Sequence, residues 1–230
     1  SHAAGGSVLH VKREGRAWRH VPGGKHTRRV TALYPEFTVT GPLSARKRSI
    51  AGSLANCSGG KTPWNTVLSC EENFNMFNDP ARIRWSDAAG QGIEETNFGW
   101  IVELDPFGEL PPCKHTALGR FAHENAAWRI GSTGKLVVYM GDDSEDQFLY
   151  KFVSAKSYRK PESDVARAES DVARAFLPAK SSTARAEASR LLTEGTLYAA
   201  DFANGKWLPL DLARSEELRD AGFESQADVM

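Results

Sequence analysis

Apolar residues recur along most of the chain in short runs that are separated by turn residues. Val, Ile, Leu, Tyr, Phe and Trp fill the runs, and Gly, Asn, Asp and Pro lie between them, as is typical of β-strands joined by turns. The pattern predicts strands at residues 66–72, 99–104, 116–123, 135–140, 148–153, 196–202 and 206–210. Near the N-terminus, residues 7–11 and 17–21 flank a polar segment containing Gly15, which predicts a hairpin. Such a succession of short strands favours an all-β sandwich, barrel or propeller over alternating βαβ units.

One segment interrupts this pattern. Residues 157–192 are rich in Ala, Arg, Glu and Ser, and they contain a perfect tandem repeat of the heptapeptide ESDVARA at 162–168 and 169–175. The repeat combines good helix formers with few apolar anchors. We therefore expect one β domain over residues 1–230, with a solvent-exposed helical or mobile insertion at 157–192.

The charge balance and the cysteine content exclude several classes of protein. Lys+Arg and Asp+Glu number 29 each, whereas a nucleic-acid or acidic-membrane binder would need a basic excess. We therefore expect neither a nucleic-acid nor a membrane partner. Three cysteines without a Cys-x-x-Cys pair argue against a disulfide framework or a zinc ribbon. There is also no P-loop and no G-x-S-x-G elbow.

The densest group of reactive side chains surrounds Cys57 and Cys70. We expect Cys57 in a Gly-rich turn, where the backbone can aim a side chain freely, and Cys70 on the same strand face as Glu72. A thiolate near carboxylates suits a transition metal. The alternative is two buried structural cysteines beside a solvated acidic pair, Glu71 and Glu72.

A second group lies at residues 119–125. In an extended strand Arg120 and Glu124 would share one face, and His123 would lie on the other. Glu124 could then bind a metal ion while the planar guanidinium of Arg120 holds a phosphate oxygen. The alternative is an ordinary Arg–Glu pair on a sheet surface. His123 is expected to be packed or hydrogen-bonded rather than a ligand.

A third group is the acidic turn that begins with Asp142 and Asp143. It ends the apolar strand predicted at 135–140. Clustered carboxylate oxygens suit calcium, although the spacing is not that of an EF-hand and acidic turns are commonly solvated.

Taken in order, these groups lie in blocks that resemble a known family. The blocks between residues 56 and 202 are NCSGGKTPWNTVLSCEENF, NFGWIVELDPF, TALGRFAHENAAW, VVYMGDD, FLYKFVS and EGTLYAADF. They are similar, in the same order, to the characteristic blocks of PhoX-type alkaline phosphatases. The resemblance implies a β-propeller that hydrolyses phosphate esters with a mixed iron and calcium cluster. It also implies export, so we expect a periplasmic or extracellular location, without a signal peptide in this chain.

The resemblance also implies roles for individual residues. Cys57 would be the thiolate ligand of iron, with Cys70 of the same block as its competitor. Glu72 and Glu124 would be carboxylate ligands. Asp143 would supply oxygen to calcium, with Asp142 the less favoured of the pair. Arg120 is our candidate phosphate contact on chemical grounds alone.

The later blocks of the family do not follow Met230, so we expect a partial propeller, an open arc of blades with weak activity. Two other functions stay open at this point. One is a calcium-dependent propeller lactonase or phosphotriesterase, which would need no thiolate. The other is a non-catalytic propeller fragment that binds calcium or a partner.

Overall fold

Strands dominate the regular structure of the chain. The computed structural model describes residues 5–78, 95–159 and 181–230. The first four strands form two antiparallel pairs, β1 with β4 and β2 with β3. Their bounds are β1 Gly5–Val8, β2 Val11–Glu14, β3 Ala17–His20 and β4 Arg28–Thr31. The predicted N-terminal hairpin is therefore β2–β3. The first strand of this hairpin begins at Val11, whereas the predicted strand ended there. Ser7, which the prediction placed in the hairpin, pairs instead with Arg29 of β4.

A six-stranded sheet follows along the chain. Its strands are β5 Glu36–Thr40, β6 Ser49–Ala51, β7 Asn56–Lys61, β8 Val67–Glu71, β9 Ile101–Leu104 and β10 Cys113–His115. The order across the sheet is β6-β5-β10-β9-β8-β7. Only the β5–β10 pair is parallel among these neighbours. The sheet thus joins strands that are distant in sequence.

The second large sheet is an antiparallel meander of five strands. They are β11 His123–Ile130, β12 Lys135–Asp142, β13 Leu149–Ser157, β14 Gly195–Asp201 and β15 Lys206–Pro209. On β12, Leu136, Val138 and Met140 are buried while Tyr139 is exposed. This alternation is the two-residue period of a strand that has one face in the core.

The main core lies between the two large sheets. Its members share near-complete burial: Trp64, Leu68, Cys70, Ile101, Ala117, Leu118, Phe121, Ala126, Leu136, Val138, Met140, Phe152, Leu191, Leu192 and Leu197. Strand β11 packs along β7 and β8, so the first strand of one sheet meets the edge of the other. The β-propeller class predicted from the sequence is confirmed by the all-β architecture together with the structural similarity described below.

Helices are short and peripheral. They are α1 Ser182–Ser189, α2 Glu216–Asp220 and α3 Gln226–Val229, with 3-10 turns at Pro42–Ala45, Phe74–Asn78, Glu95–Asn97, Thr116–Leu118 and Arg190–Leu192. Helix α1 lies within the predicted insertion, whereas the ESDVARA repeat lies outside the described residues. Buried Arg185 of α1 binds Asp105 and Glu109, which fixes this helix to the loop after β9. No helix in the described ranges is long and apolar enough to cross a bilayer.

The strand predicted at 116–123 is wrong. Thr116–Leu118 is a 3-10 turn, and β11 begins only at His123. Gly119 has φ 85°, in the left-handed region that glycine adopts without strain, and this conformation interrupts any extended run. As a result, Arg120 is not on a strand with Glu124.

Candidate metal centre

The candidate ligands gather where several strands end or begin. Glu72 follows the last residue of β8, Glu124 is the second residue of β11, and Asp143 follows the last residue of β12. The amide of Asp143 donates to the carbonyl of Ala122 at 3.0 Å, which joins the end of β12 to the start of β11. Two separate sheets therefore present carboxylates to one region.

A β-bulge places Cys57 at the same end. Asn56 pairs with Glu71 and Gly59 pairs with Ser69, so that Cys57 and Ser58 together oppose the single residue Cys70. A bulge re-aims a side chain that would otherwise follow the pleat. Cys57 is consequently exposed. The prediction that Cys57 lies in a Gly-rich turn is therefore wrong. Cys57 lies in strand β7, and the bulge in that strand re-aims its side chain.

Cys57, Glu72, Asp143 and Glu124 form what we call the acid cluster. The Cys57 thiol is hydrogen-bonded to the Glu72 carboxyl, which raises the pKa of Cys57, and nearby Glu124 adds to the effect. Burial, followed by a hydrogen bond and charge repulsion from Asp143, raises the pKa of Glu72. The contact with Cys57 opposes this effect and lowers the pKa of Glu72. The pKa shifts of Cys57 and Glu72 thus link the thiol, Glu72 and Asp143 as neighbours.

Within the described ranges no Lys, Arg or His forms an ion pair with any member of the acid cluster. In the same ranges no three Cys, His, Asp or Glu side chains converge closely enough to enclose an ion. The donors are linked pairwise instead. Their chemistry, one thiol with three carboxyls and no base, fits a bound cation, whereas their spacing is more open than a finished coordination shell.

Two further candidates from the sequence have other contacts. Cys70 is fully buried in the main core, and burial raises its pKa to about 12, so its thiol stays protonated at neutral pH. Asp142 accepts a hydrogen bond from the amide of Ser144 at 3.0 Å and so caps the turn between β12 and β13. Cys57 is thus the thiol that contacts a carboxyl, and Asp143 is the aspartate that contacts Glu72.

The contacts of Arg120 are with residues outside the acid cluster. Its Nε donates to the carbonyl of Phe98 at 2.8 Å, and its Nη2 donates to the carbonyl of Glu95 at 3.1 Å. Its guanidinium lies 4.7 Å from the ring centre of Phe74. The structure therefore does not pair Arg120 with Glu124, since Arg120 precedes the strand on which Glu124 sits.

An aromatic row leads from the core to the same end of the sheets. His123 is fully buried, donates from Nε2 to the carbonyl of Gly119 at 2.9 Å, and burial lowers its pKa to about 3. It packs on Phe121 at 3.6 Å between ring centres, Phe121 stacks on Tyr150 at 4.3 Å, and Tyr150 meets the ring of Phe148 at 6.2 Å. His123 is therefore a packed neutral residue, as expected.

The sequence missed the role of Glu71. Far from being half of a solvated acidic pair, Glu71 is fully buried and accepts from Lys114 Nζ at 2.7 Å and Ser53 Oγ at 2.8 Å. Its other oxygen accepts from the amide of Trp100 at 3.1 Å. Glu71 thus fixes the end of β8 one residue before Glu72. No local signal indicates this, because Lys114 lies 43 residues away.

Comparisons with known proteins agree with this architecture. The model of the family described as alkaline phosphatase PhoX matches residues 1–230. Among solved structures, the chain is similar to Pseudomonas fluorescens PhoX in complex with vanadate, a transition state analogue, at 30% identity with a TM-score of 0.70. That similarity covers 97% of this chain and 43% of the solved one, so the chain spans less than half of its relative. No curated protein matches.

The family match extends over the whole sequence, and the structural match places the same fold on 97% of it. Both agree with the six ordered blocks that contain the acid cluster. The chain belongs to the alkaline phosphatase PhoX family.

Proposed function

We propose that this protein hydrolyses phosphate esters in a metal-dependent reaction at the acid cluster. The observation that carries the proposal is the chain of contacts from Cys57 through Glu72 to Asp143, with Glu124 nearby and no basic partner within the described ranges. Two findings support it: membership of a phosphatase family, and similarity to a PhoX structure that contains vanadate.

Iron and calcium are the metals that the donor set favours. Thiolate selects softer transition metals, and carboxylate oxygens suit calcium. In the proposal Cys57, Glu72 and Glu124 hold iron, while Asp143, with Asp142 as a lesser contributor, holds calcium. When bound, such ions polarise phosphoryl oxygens, offset charge that develops in the transition state and present an oxygen nucleophile.

The chain's own residues prepare this site. Cys57 must release the proton that its contact with Glu72 retains, and Glu72 the proton that burial and Asp143 retain, so cation binding is coupled to proton release. Glu124 adds negative charge beside the thiol. Arg120 is the proposed phosphate contact on the chemistry of its planar guanidinium, which also donates to the carbonyls of Phe98 and Glu95 and pairs with the Glu95 carboxylate at 3.6 Å.

The direct test is hydrolysis of p-nitrophenyl phosphate by the purified chain with calcium and iron supplied. Glu124→Gln and Cys57→Ser should lower kcat/KM by roughly 100-fold or more, since each removes a group that stabilises charge in the site. Arg120→Met should lower it by roughly 10-fold, through loss of one phosphate contact. Glu194→Gln, which removes an exposed carboxylate elsewhere, is the control and should match the parent.

Metal-supplied protein without turnover would contradict the proposal, and so would full activity in Glu124→Gln. The same preparation should leave lactones and phosphate triesters intact, because the cluster contains a thiol that calcium-only chemistry does not need. We extend the proposal to an exported location, periplasmic or extracellular. Fractionation of cells that make the protein would contradict this if the protein remained inside the cytoplasm.

A further inference from the structure

We propose that Phe148 forms a subsite for a planar aromatic leaving group, so that the substrates are phosphate esters of aromatic alcohols. The inference rests on the proposed function and adds a substrate class to it. It starts from a large apolar ring, 49% exposed, at the strand end that carries the acid cluster. Exposed rings of this size are common singly, so the argument depends on where this one lies and on what fixes it.

Strand register places Phe148 on the core-facing side of the five-stranded sheet. Tyr150 pairs with Met140 and Phe152 pairs with Val138, and both partners on β12 are buried. Since strand side chains alternate, Phe148 shares this side with Tyr150 and Phe152. It lies at the open end of the core, where the strands terminate.

Backbone contacts tie Phe148 to the acid cluster. The carbonyl of Phe148 accepts from the amide of Asp142 at 3.3 Å, and the next amide, of Asp143, donates to Ala122 at 3.0 Å. Asp143 is in turn a neighbour of Glu72. The exposed ring and the proposed calcium ligand thus belong to one hairpin end.

The ring is held by neighbours that are progressively more buried. Phe148 meets Tyr150 edge-on at 6.2 Å, and Tyr150 stacks on Phe121, which is only 8% exposed. A ring fixed in this way offers its open face without a large ordering cost on binding. The exposed Phe202 differs: it is 78% exposed, lies in the neighbouring β14–β15 turn at the same end of the sheet, and has no ring contact within the described ranges.

Charge decides which end of a substrate contacts Phe148. A phosphate dianion is repelled by the acid cluster unless cations lie between them, so its phosphoryl group must lie over the metals. The ester group then extends away from the carboxylates, and we assign it to the ring that this hairpin end exposes, that of Phe148. Stacking on one aromatic side chain contributes about 2- to 10-fold in affinity.

The test compares two phosphonates that have the same head group but differ in the attached group. Binding of phenylphosphonate and methylphosphonate is measured by calorimetry on the chain loaded with calcium and iron. Phe148→Ala should weaken phenylphosphonate by about 2- to 10-fold and leave methylphosphonate unchanged. Phe148→Tyr should keep the parent's ratio of phenylphosphonate to methylphosphonate affinity, and Phe202→Ala should not alter that ratio.

Phe148→Leu keeps the apolar bulk and replaces the alanine variant if that variant does not fold. It should lose part of the preference for phenylphosphonate over methylphosphonate. An unchanged affinity ratio in Phe148→Ala or in Phe148→Leu, or an equal loss for both phosphonates, would overturn the inference while leaving the proposed function intact. A parent protein that binds neither phosphonate would overturn the proposed function, and the aromatic subsite with it.

Discussion

Glu71 and Glu72 are adjacent in sequence and have opposite surroundings. Glu71 contacts Lys114, and on the neighbouring strand Glu103 contacts His115 at 2.8 Å; we call these four residues the paired region. Glu72 contacts a thiol and an aspartate. In the paired region each buried acid has a base, whereas in the acid cluster the described residues provide none. The difference separates acids that stabilise the fold from acids that are suited to hold a cation.

The base in the paired region has several partners besides its acid. Lys114 Nζ also donates to the carbonyl of Asn97 at 2.7 Å and lies 4.8 Å from the ring centre of Phe98. Burial lowers the pKa of Lys114, and the Glu71 carboxylate opposes that effect. Such a buried pair is stable only while both members are present. It anchors β8, on which Glu72 depends.

The largest effect should follow from breaking this pair. Lys114→Met leaves the Glu71 carboxylate buried without its base, which should lower the free energy of unfolding by about 3–5 kcal/mol. Urea unfolding followed by circular dichroism measures it. The double variant Glu71→Gln, Lys114→Met should lose less than the sum of the two single losses. If Lys114→Met were as stable as the parent, the distinction between the paired region and the acid cluster would be wrong.

A second prediction concerns pH and Glu103. Burial opposes ionisation of Glu103, but hydrogen bonds from His115, Ser189 and Thr66 more than compensate and lower its pKa below 4.5. A carboxyl whose pKa is lower in the folded state stabilises the fold above its ordinary pKa, and this stability is lost as pH falls through the folded value. The free energy of unfolding should therefore fall below pH 4.5.

Glu103→Gln removes this titration, so its stability should depend less on pH in the same acidic range. At neutral pH it should lose roughly 1.5–3 kcal/mol, the contribution of hydrogen bonds to a charged group. Urea unfolding at several pH values gives both quantities. Identical acid dependence in the parent and the variant would show that Glu103 is not ionised in the folded protein.

The smallest expected effect lies in the acid cluster. Without metal, Glu72→Gln should change the free energy of unfolding by no more than about 0.5 kcal/mol, or raise it, because it removes a carboxyl from a group without a base. Glu71→Gln is the matched control, with the same substitution one residue earlier, and should cost roughly 2–3 kcal/mol because it weakens a charged, buried hydrogen bond. Equal losses would mean that Glu72 is a structural residue like its neighbour.

The sequence predicts the five-stranded sheet better than the six-stranded one. Strands β12 and β13 contain runs of apolar, β-branched and aromatic residues, so their positions follow from local composition. Strand β7, with the sequence NCSGGK, has no such run and forms because it pairs with β8. Its Gly59 is needed there, since a side chain would collide with the carbonyl of Leu68. The parallel β5–β10 pair is non-local and carries no local signal.

The candidate site shows the same limit. The family blocks predict Cys57, Glu72 and Asp143 as ligands, which stays a prediction, and the pKa shifts of Cys57 and Glu72 indicate that these three side chains are neighbours. The expected face shared by Arg120 and Glu124 was wrong, because it assumed an extended backbone through Gly119. Residue types and order therefore indicated the chemistry, while the side-chain directions depended on a bulge and on one glycine with positive φ.

Calcium binding by the metal-free chain tests the central claim most directly. Titration calorimetry should be done in parallel on the parent, Glu72→Gln and the exposed control Glu194→Gln. The account predicts that the parent and Glu194→Gln bind calcium with equal affinity and that Glu72→Gln binds it at least roughly tenfold more weakly. Equal affinity in all three proteins would contradict the assignment of the acid cluster as the cation site.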